Sequence, residues 1–564
     1  MAVSINSIVG AIVVAACLLL YGFATVGRRA RSLPDGPPTL PIIGNMHQLP
    51  VNKPYLQFTR WAKQYGGMYS LKLGPKTVVV LTDRRIVKQL LDKKASSSSN
   101  RPVSLVTQQL ITEGDHMLLM DNTPRWRVMR KVIHQDLTES VCDTRHERLQ
   151  QAETIQMLYD LQQKPEEWVS HLKRFSNSII MSIVYGVRSP SFESPWTKKL
   201  NELVELWARI NEFGATPPID AFPFLKWIPE RFLGNWITRA RAVHDETHSL
   251  YGGLLKSVEE RRRMTGGVYC IADRLLDQNE ENGLTRHNIM LLAGVALKGG
   301  MDVNTALPTL RFTDLQFTIT LGSDTTASTL SSFVQAMIAF PGVQRKAHAE
   351  IDAIIGDARI PQWSDYNSLP YVATVVKETM RWRPTAPLGF PHALSQDEWV
   401  DGKLLPKGTV IFVNVWGLHH DGTKFENSGV FEPDRYAGRI GSSSGYANSA
   451  DYENRDHYGF GNGRRLCPGI HLADRNLWHA ISKILWAFEI KPKIDPHTSK
   501  PVKPDTSVET GYREGLTMCP YEFPCEIVAR SAVRTGLVSE ALKKAQKDVF
   551  PQYERTEHFM QAKA

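Results

Sequence analysis

The spacing of hydrophobic and polar positions changes several times along the chain, and each pattern predicts a different element. Residues 5–26 are apolar and uncharged, which as a helix of about 33 Å is long enough to cross a bilayer. Residues 55–65 repeat with a helical period, whereas residues 68–73 and 77–81 alternate as two strands. From about residue 139 to residue 288 the period is mostly helical. The pattern therefore predicts a mainly α-helical protein with strands near its start.

The residues after the apolar run indicate how it is oriented. Arg28, Arg29 and Arg31 follow it directly, and the positive-inside rule then places the remaining chain in the cytosol. A cleaved signal peptide is the alternative, but it would carry its positive charge before the apolar run. Four prolines make residues 33–45 a stiff, non-helical spacer. The sequence predicts a membrane anchor at residues 1–27 and a Pro-rich hinge at residues 28–50.

Charge and cysteine content narrow the class of partner. The net charge is +9, but Lys and Arg are scattered without a long basic run. This distribution favours an anionic membrane surface or an acidic redox partner over nucleic acid. The six cysteines show neither zinc spacing nor a disulfide framework, which is typical of a reducing cytosolic compartment. With 564 residues, 42% of them hydrophobic, the chain can bury a large core.

One cysteine lies in a glycine-rich loop, Phe460-Gly461-Asn462-Gly463-Arg464-Arg465-Leu466-Cys467-Pro468-Gly469. The glycines let the backbone fold tightly around the sulfur and let a flat ligand approach the main chain. Backbone N–H groups and nearby cations can then hold the sulfur as a thiolate, a ligand that suits haem iron. The alternative is a buried structural cysteine in a turn, the usual role of a lone free cysteine.

The loop fits the pattern Phe-x-x-Gly-x-Arg-x-Cys-x-Gly at Phe460, Gly463, Arg465, Cys467 and Gly469, and it resembles the haem-binding loop of the cytochrome P-450 family. The resemblance implies haem b, with Cys467 as the proximal iron ligand and Arg465 at a haem propionate. It also implies the P-450 fold, mainly α with a small β-rich lobe, here preceded by a single N-terminal transmembrane helix. Fungal microsomal members used in secondary metabolism are the most similar type.

Two further segments resemble propionate-binding positions of that family. Thr123 and Pro124 begin a helix on which Trp126 and Arg130, four residues apart, face the same way. The resemblance implies that both side chains donate to the haem carboxylates, although a stacked surface pair is the alternative. His392 stands where the family often has a propionate-binding Arg or His.

Two other segments resemble the structural frame of the family. Glu378 and Arg381 are three apart in a predicted helix that opens at Leu369-Pro370, so they can pair on one face. Arg435 follows in a Pro-containing turn. Together they resemble the family's Glu-Arg-Arg network, which implies structural roles in holding the cysteine loop.

The segment Ser323-Asp324-Thr325-Thr326 resembles the family's oxygen-activating helix. The resemblance implies that Asp324 relays protons from solvent and that Thr325 donates a hydrogen bond beside the iron. Alternatively, these residues cap the helix or bond to its backbone. The position before the glycine holds Leu321, whose branched side chain would crowd an oxygen pocket.

A closer match to this helix appears when residues 301–322 are set aside, because Lys298-Gly299-Gly300 then leads directly into Ser323. The excess of 22 residues is too long for a bulge, and its first part carries a helix-breaking proline, Pro308. Our hypothesis is that residues 301–322 are a translated unspliced intron or a recent insertion that impairs the enzyme.

The other histidines suggest no further site. His134, His146, His171, His244 and His248 show no ligand spacing that indicates a metal, and we interpret them as surface or core residues. Residues 531–564 form a charged tail with helical propensity to which the sequence assigns no function.

The sequence predicts a haem-thiolate catalytic domain at residues 51–530, anchored in the endoplasmic reticulum membrane and facing the cytosol. By resemblance it inserts one oxygen atom of O₂ into an apolar small molecule, with electrons from NADPH through NADPH-cytochrome P-450 reductase. The alternatives are a haem-binding pseudoenzyme inactivated by residues 301–322 and a membrane-anchored scaffold without haem.

Overall fold

The computed structural model describes residues 13–14, 25–211, 215–297, 324–513 and 517–554. Within these ranges, no helix combines the length and the hydrophobicity needed to cross a bilayer. The predicted anchor, residues 5–26, lies almost entirely outside them, as does the predicted insertion, residues 301–322.

Helices make up most of the described chain, as the sequence predicts. The twelve described helices of ten or more residues are α1 (Pro54–Tyr65), α2 (Pro124–Gln135), α3 (Glu147–Gln163), α4 (Trp168–Tyr185), α5 (Pro195–Asn211), α6 (Trp236–Thr265), α7 (Arg286–Leu297), α8 (Asp324–Ala339), α9 (Pro341–Ile354), α10 (Pro370–Trp382), α11 (Ile470–Ala487) and α12 (Ala532–Asp548). Shorter α-helices are Arg84–Val87, Glu139–Val141, Ile271–Asp277, Asn279–Asn282, Val415–His419, Ser443–Ala447 and Pro551–Glu554.

Local capping fixes where several of these helices begin. The Asp83 carboxylate accepts hydrogen bonds from the backbone N–H groups of Arg85 and Ile86, and the Thr123 hydroxyl accepts one from Trp126 N–H. The start of the second helix at Thr123 and Pro124 was predicted from the sequence, and both caps satisfy donors that have no partner inside the helix.

The main core lies between the longer helices. Helix α8 packs against α4 and α11, and α3 packs against α4, α11 and α12. Large side chains fill the space between them, including the fully buried Phe175, Phe333 and Trp478. Since α11 begins directly after the cysteine loop, this core supports one side of the candidate site.

The strands form a smaller layer. They are β1 (Met68–Leu73), β2 (Lys76–Leu81), β3 (His392–Ala393), β4 (Glu398–Val400), β5 (Lys403–Leu405), β6 (Val410–Val413), β7 (Phe488–Pro492) and β8 (Cys525–Ala529). The largest sheet has the order β1-β2-β6-β3. Its central pair is parallel, with Val78 opposite Val410, and both its other pairs are antiparallel. A second core, built on Phe58, Tyr69 and Phe412, joins this sheet to α1.

The C-terminal tail is part of the folded body. Val538 and Phe550 are buried, and α12 lies against α3. Arg534 forms ion pairs of 2.8 Å with Asp352 and 2.5 Å with Asp357, which join the tail to the end of α9. The predicted helical character of the tail is confirmed as far as Glu554.

Candidate active site

The cysteine loop is closed by its own backbone. Cys467 N–H donates to the Phe460 carbonyl oxygen at 2.8 Å, and the loop ends where α11 begins. Gly463 has φ of 56°, and a Cβ atom on it would lie 2.0 Å from the Leu91 carbonyl oxygen. Only glycine therefore fits at this position, because the neighbouring atom is backbone that cannot rotate away. Gly463 N–H also donates to the Asp92 carboxylate at 2.9 Å.

The surroundings of Cys467 have opposing effects on the pKa of its thiol. Burial raises the pKa of its thiol, whereas the Gly469 N–H and the Arg130 guanidinium lower that pKa. Arg130 lies close because it donates to the carbonyl oxygen of Leu466, the residue before the cysteine. A buried thiolate is costly without a positive partner, so a cation bound by the Cys467 sulfur would stabilise its deprotonated form.

The Arg465 side chain points into a set of backbone carbonyls. Its guanidinium donates to Ser99 O at 2.9 Å, to Met117 O at 3.2 Å and to Met120 O. It also lies 4.0 Å from the centre of the Trp126 ring. Burial and neighbouring arginines lower the pKa of Arg465 to about 8. The structure thus brings together the predicted residues Trp126 and Arg465 from distant parts of the chain.

Trp126 makes a contact that the sequence did not predict. Its indole N–H donates to Met117 O at 2.9 Å, so this donor already has a backbone partner. The predicted bond from Trp126 to a haem carboxylate stays a prediction.

Arg101 belongs to the same cluster, although the sequence analysis gave it no role. It is buried and donates to Leu118 O at 2.9 Å and to Pro391 O at 2.6 Å. Burial lowers its pKa to about 9. The sequence offered one signal for this role: Arg101 follows a serine-rich loop and has no acidic residue close to it in the chain. The identity of its partners follows only from the fold, since residues 118 and 391 are far apart in the chain.

This arginine cluster fits an anionic ligand. Among the described residues, none of Arg101, Arg130 and Arg465 forms an ion pair with a carboxylate, although Asp121 lies near enough to Arg465 to raise its pKa. All three arginines are at least half-buried. Burying unpaired charges is unfavourable, and arginine is well suited to binding carboxylates. A ligand with an iron atom for Cys467 and carboxylates for the arginines matches this set of donors.

His392 lies beside the cluster on β3. Its Nδ1 is 2.8 Å from Ser98 O, and because a carbonyl oxygen only accepts, Nδ1 must carry the proton. Burial and then the charge of Arg101 lower the pKa of His392 to about 3, so the imidazole is neutral near pH 7. Its predicted propionate contact stays a prediction.

The predicted oxygen-activating residues lie at the start of α8, which begins at Asp324. The Asp324 side chain is outside the described part of the structure. Thr325 is half-buried, and its carbonyl oxygen accepts a hydrogen bond from Thr329 Oγ1 at 2.7 Å. Thr329 Oγ1 also lies 2.9 Å from Thr385 Oγ1, which links this helix to the segment after α10. The proton-transfer roles of Asp324 and Thr325 stay predictions.

The three residues predicted as a structural network do meet. Glu378 and Arg381, both on α10 and fully buried, form two hydrogen bonds of 2.7 Å. Arg435 Nε reaches the same Glu378 carboxylate at 3.2 Å. The third guanidinium nitrogen, Arg381 Nη1, donates to His419 O and Ser428 O, so the network spans three chain segments.

His419 connects this network to the cysteine loop. Its Nδ1 lies 3.2 Å from Arg381 O, and its Nε2 accepts a hydrogen bond from Tyr458 N–H at 2.7 Å. Burial holds the pKa of His419 well below its usual range, which keeps Nε2 unprotonated and able to accept. Since Tyr458 lies two residues before Phe460, the carbonyl partner of Cys467, the ion pair at Glu378 positions the loop through two hydrogen bonds.

Comparisons with known proteins agree with this arrangement. The family model for cytochrome P-450 matches residues 34–313 and 315–512. The chain is 45% identical over 531 residues to cytochrome P-450 monooxygenase macC of Penicillium terrestre, covering 93% of this chain and 95% of that protein. It is 43% identical over 544 residues to cytochrome P-450 monooxygenase patH of Aspergillus clavatus, covering 96% and 98%.

A solved structure shows the same fold. A zebrafish cytochrome P-450 with progesterone superposes with a TM-score of 0.66 at 22% identity, covering 85% of this chain and 99% of that one. Mostly helical, with small sheets and a cysteine loop ahead of a long helix, the molecule has the fold of a haem-thiolate oxidoreductase. The chain belongs to the cytochrome P-450 family and is a cytochrome P-450 monooxygenase.

Proposed function

We propose that this chain binds haem b through the Cys467 thiolate and inserts one oxygen atom of O₂ into an apolar small molecule of fungal secondary metabolism. The observation that carries the proposal is the cluster of Arg101, Arg130 and Arg465 around the cysteine loop, at least half-buried and without an ion pair to any carboxylate in the described part of the chain. Haem, when bound, supplies the oxygen activation, because a thiolate ligand favours cleavage of the O–O bond. The fungal relatives support the metabolic class.

The chain's own residues have separate tasks in this proposal. Arg465 and Arg130 bind the haem carboxylates, with Trp126 and His392 beside them. Glu378, Arg381 and Arg435 are positioning residues that hold the loop. Asp324 and Thr325 deliver protons at the distal side, where a carboxylate can exchange protons with solvent and a hydroxyl can donate a hydrogen bond.

The absorption spectrum of the reduced, haem-loaded full chain under carbon monoxide tests the metal ligand. A strongly red-shifted Soret band is expected for the native chain and should be lost in Cys467→Ser. Cys525→Ser, a half-buried thiol on β8, is the matched control and should keep the band. A red-shifted band that survives Cys467→Ser would reject Cys467 as the ligand.

We also propose that NADPH-cytochrome P-450 reductase supplies the electrons and that residues 5–26 anchor the protein in the endoplasmic reticulum membrane. NADPH consumption that depends on added reductase tests the electron source. Membrane extraction with alkaline carbonate tests the anchor, since the full chain should stay in the pellet and a variant without residues 1–27 should be released. Equal release of both proteins would reject the anchor.

A second candidate function is a haem-binding pseudoenzyme, and the unusual residues 301–322 ahead of Asp324 favour it. In this proposal the native chain shows little product formation with reductase, and deletion of residues 301–322 increases it. Equal turnover of the two proteins would reject impairment by these residues. A spliced transcript that keeps their coding sequence would reject the intron version and leave a genuine insertion.

A further inference from the structure

Three histidines outside the haem site form a stack between two helices. His244 and His248 lie one turn apart on α6, with ring centres 4.0 Å apart. His287 lies on α7, with its ring centre 5.4 Å from that of His248. The sequence alone did not indicate this cluster, because Glu113 and His287 are far from His244 and His248 in the chain. Their spacing of four places both on the same helix face.

A carboxylate faces this stack. Glu113 Oε2 is 3.5 Å from His287 Nε2, and Glu113 Oε1 is 3.9 Å from His244 Nε2. Glu113 has φ of 51°, and it begins a turn with Gly114 that directs the acidic side chain towards α6 and α7. Asp115 lies 3.7 Å from His287 Nε2 but is also bound by Arg125 and by an adjacent amide.

Two ring nitrogen atoms in this stack lack hydrogen-bond partners. His248 Nε2 and His287 Nε2 are buried and make no hydrogen bond to any residue that the structure describes. Buried polar atoms are normally paired, so two of them in one cluster need an explanation. His244 Nδ1 lies 3.0 Å from Ile111 O and must carry the proton there, which leaves its Nε2 lone pair towards Glu113. Metal-binding histidines typically donate a hydrogen bond from the N–H of their other ring nitrogen to a backbone carbonyl.

We propose that Glu113, His248 and His287 bind a divalent transition-metal ion of the zinc type, with His244 as a fourth ligand. One ligand atom from each of the first three residues lies within 4.8 Å of the others. Tetrahedral zinc needs neighbouring ligand atoms about 3.4 Å apart, given Zn–N distances of about 2.1 Å. Rotation of the exposed Glu113 side chain and small shifts of the imidazole rings would bring the ligand atoms from their present separations to the zinc-bound distance. Imidazole and carboxylate are suitable ligands for such an ion.

The ion would join three segments that are separate in sequence. Glu113 lies in the loop after the π-helical segment Leu105–Ile111, and the histidines lie on α6 and α7. The same loop continues to Met117 and Met120, whose carbonyl oxygens accept hydrogen bonds from Arg465. Metal binding at Glu113 would therefore restrain the loop that contacts the predicted propionate-binding arginine.

Calorimetric titration of Zn²⁺ into the untagged, haem-loaded full chain, after treatment with a chelator, tests the site. We expect one strong binding event, weakened by about tenfold or more in Glu113→Gln and in His248→Ala. Glu113 is 53% exposed, so its substitution leaves the fold intact and keeps the test valid if His248→Ala is unstable. His497→Ala, an exposed histidine outside the cluster, is the matched control and should bind like the native chain.

Hydrogen exchange gives a second readout that does not depend on enzyme activity. Zn²⁺ should slow amide exchange in residues 112–120 of the native chain and of His497→Ala, but not of Glu113→Gln. Equal Zn²⁺ affinity in native chain and Glu113→Gln, or Zn²⁺ protection confined to other segments, would overturn the proposal and assign binding to adventitious surface histidines.

Discussion

Replacing Glu378 by glutamine removes the carboxylate that pairs with both Arg381 and Arg435. Arg435 keeps a second partner, Glu432, at 3.2 Å, whereas Arg381 has no other ion pair among the described residues. The carboxylate accepts two hydrogen bonds of 2.7 Å from Arg381, one of 3.2 Å from Arg435 and one of 2.8 Å from Glu432 N–H. Glutamine is nearly the same size, so no cavity forms. Its amide nitrogen, however, cannot accept, and one Arg381 donor is left facing another donor.

The expected cost follows from the burial of this pair. Glu378 and Arg381 are both 0% exposed, so solvent does not compensate for the lost charge. Breaking a buried ion pair by removing one partner costs about 3–5 kcal/mol, because the remaining charge stays buried. The effect should also reach the cysteine loop, since Arg381 O is bonded to His419, which accepts from Tyr458 N–H.

Urea unfolding followed by circular dichroism measures the free energy of unfolding, and the reduced carbon monoxide spectrum measures thiolate-ligated haem. Glu378→Gln should lower both. The control is Glu453→Gln, because Glu453 is 50% exposed and pairs with Lys424 at 2.6 Å. Its loss should cost less than about 1 kcal/mol. If Glu378→Gln and Glu453→Gln unfold at the same urea concentration with unchanged spectra, the buried ion pair neither stabilises the fold nor positions the cysteine loop.

Three further predictions concern other parts of the molecule. Gly463→Ala puts a methyl group 2.0 Å from Leu91 O, so its thiolate-haem band should be lost, whereas Gly461→Ala, with a similar φ of 77° but its nearest neighbour at 3.6 Å, should keep most of the band. Arg465→Lys keeps a charge but loses the forked bonds to three carbonyls, so the haem content per chain, measured by pyridine haemochrome, should fall; native content would contradict this role. Burial lowers the pKa of His479 to about 4 from its ordinary 6.5, so the unfolded chain binds the proton first, and the free energy of unfolding should fall by about 1.4 kcal/mol per pH unit as pH decreases from about 6.5 to about 4. His479→Gln should reduce the difference in the free energy of unfolding between pH 7 and pH 5, measured by urea unfolding, while buried histidines such as His392 and His419 keep the rest of it. An unchanged difference would refute the assignment.

Local signals predicted much of the fold because they act over a few residues. The helical period of residues 55–65 corresponds to α1, which begins one residue earlier, at Pro54. The alternation of residues 68–73 corresponds to β1 at the same bounds. The caps at Asp83 and Thr123 formed because a short polar side chain next to unpaired N–H groups has little alternative.

Contacts between distant segments could not be predicted in the same way. The parallel pairing of Val78 with Val410 joins strands more than three hundred residues apart, and no periodicity in either strand encodes that choice. The contacts of Arg101 with its carbonyl partners and of Glu113 with His287 also join segments that are distant in the chain, so no local pattern predicts them. The resemblance to a known family supplied the Glu378 network, whose Glu-x-x-Arg part alone is a common surface pair.

The arginine cluster shows why the fold and the cofactor site are physically coupled. Arg101, Arg130 and Arg465 satisfy part of their hydrogen bonding with backbone carbonyls, which are neutral and cannot cancel their charge. Burial and then repulsion from Arg101 lower the pKa of Arg465, and Asp121 offsets this only in part, so the protein alone holds this arrangement at a cost. Carboxylates of a bound ligand would remove that cost while the iron accepts the Cys467 thiolate. Binding free energy from such a ligand adds directly to the stability of the folded chain, since only the folded chain brings the three arginines and the cysteine together.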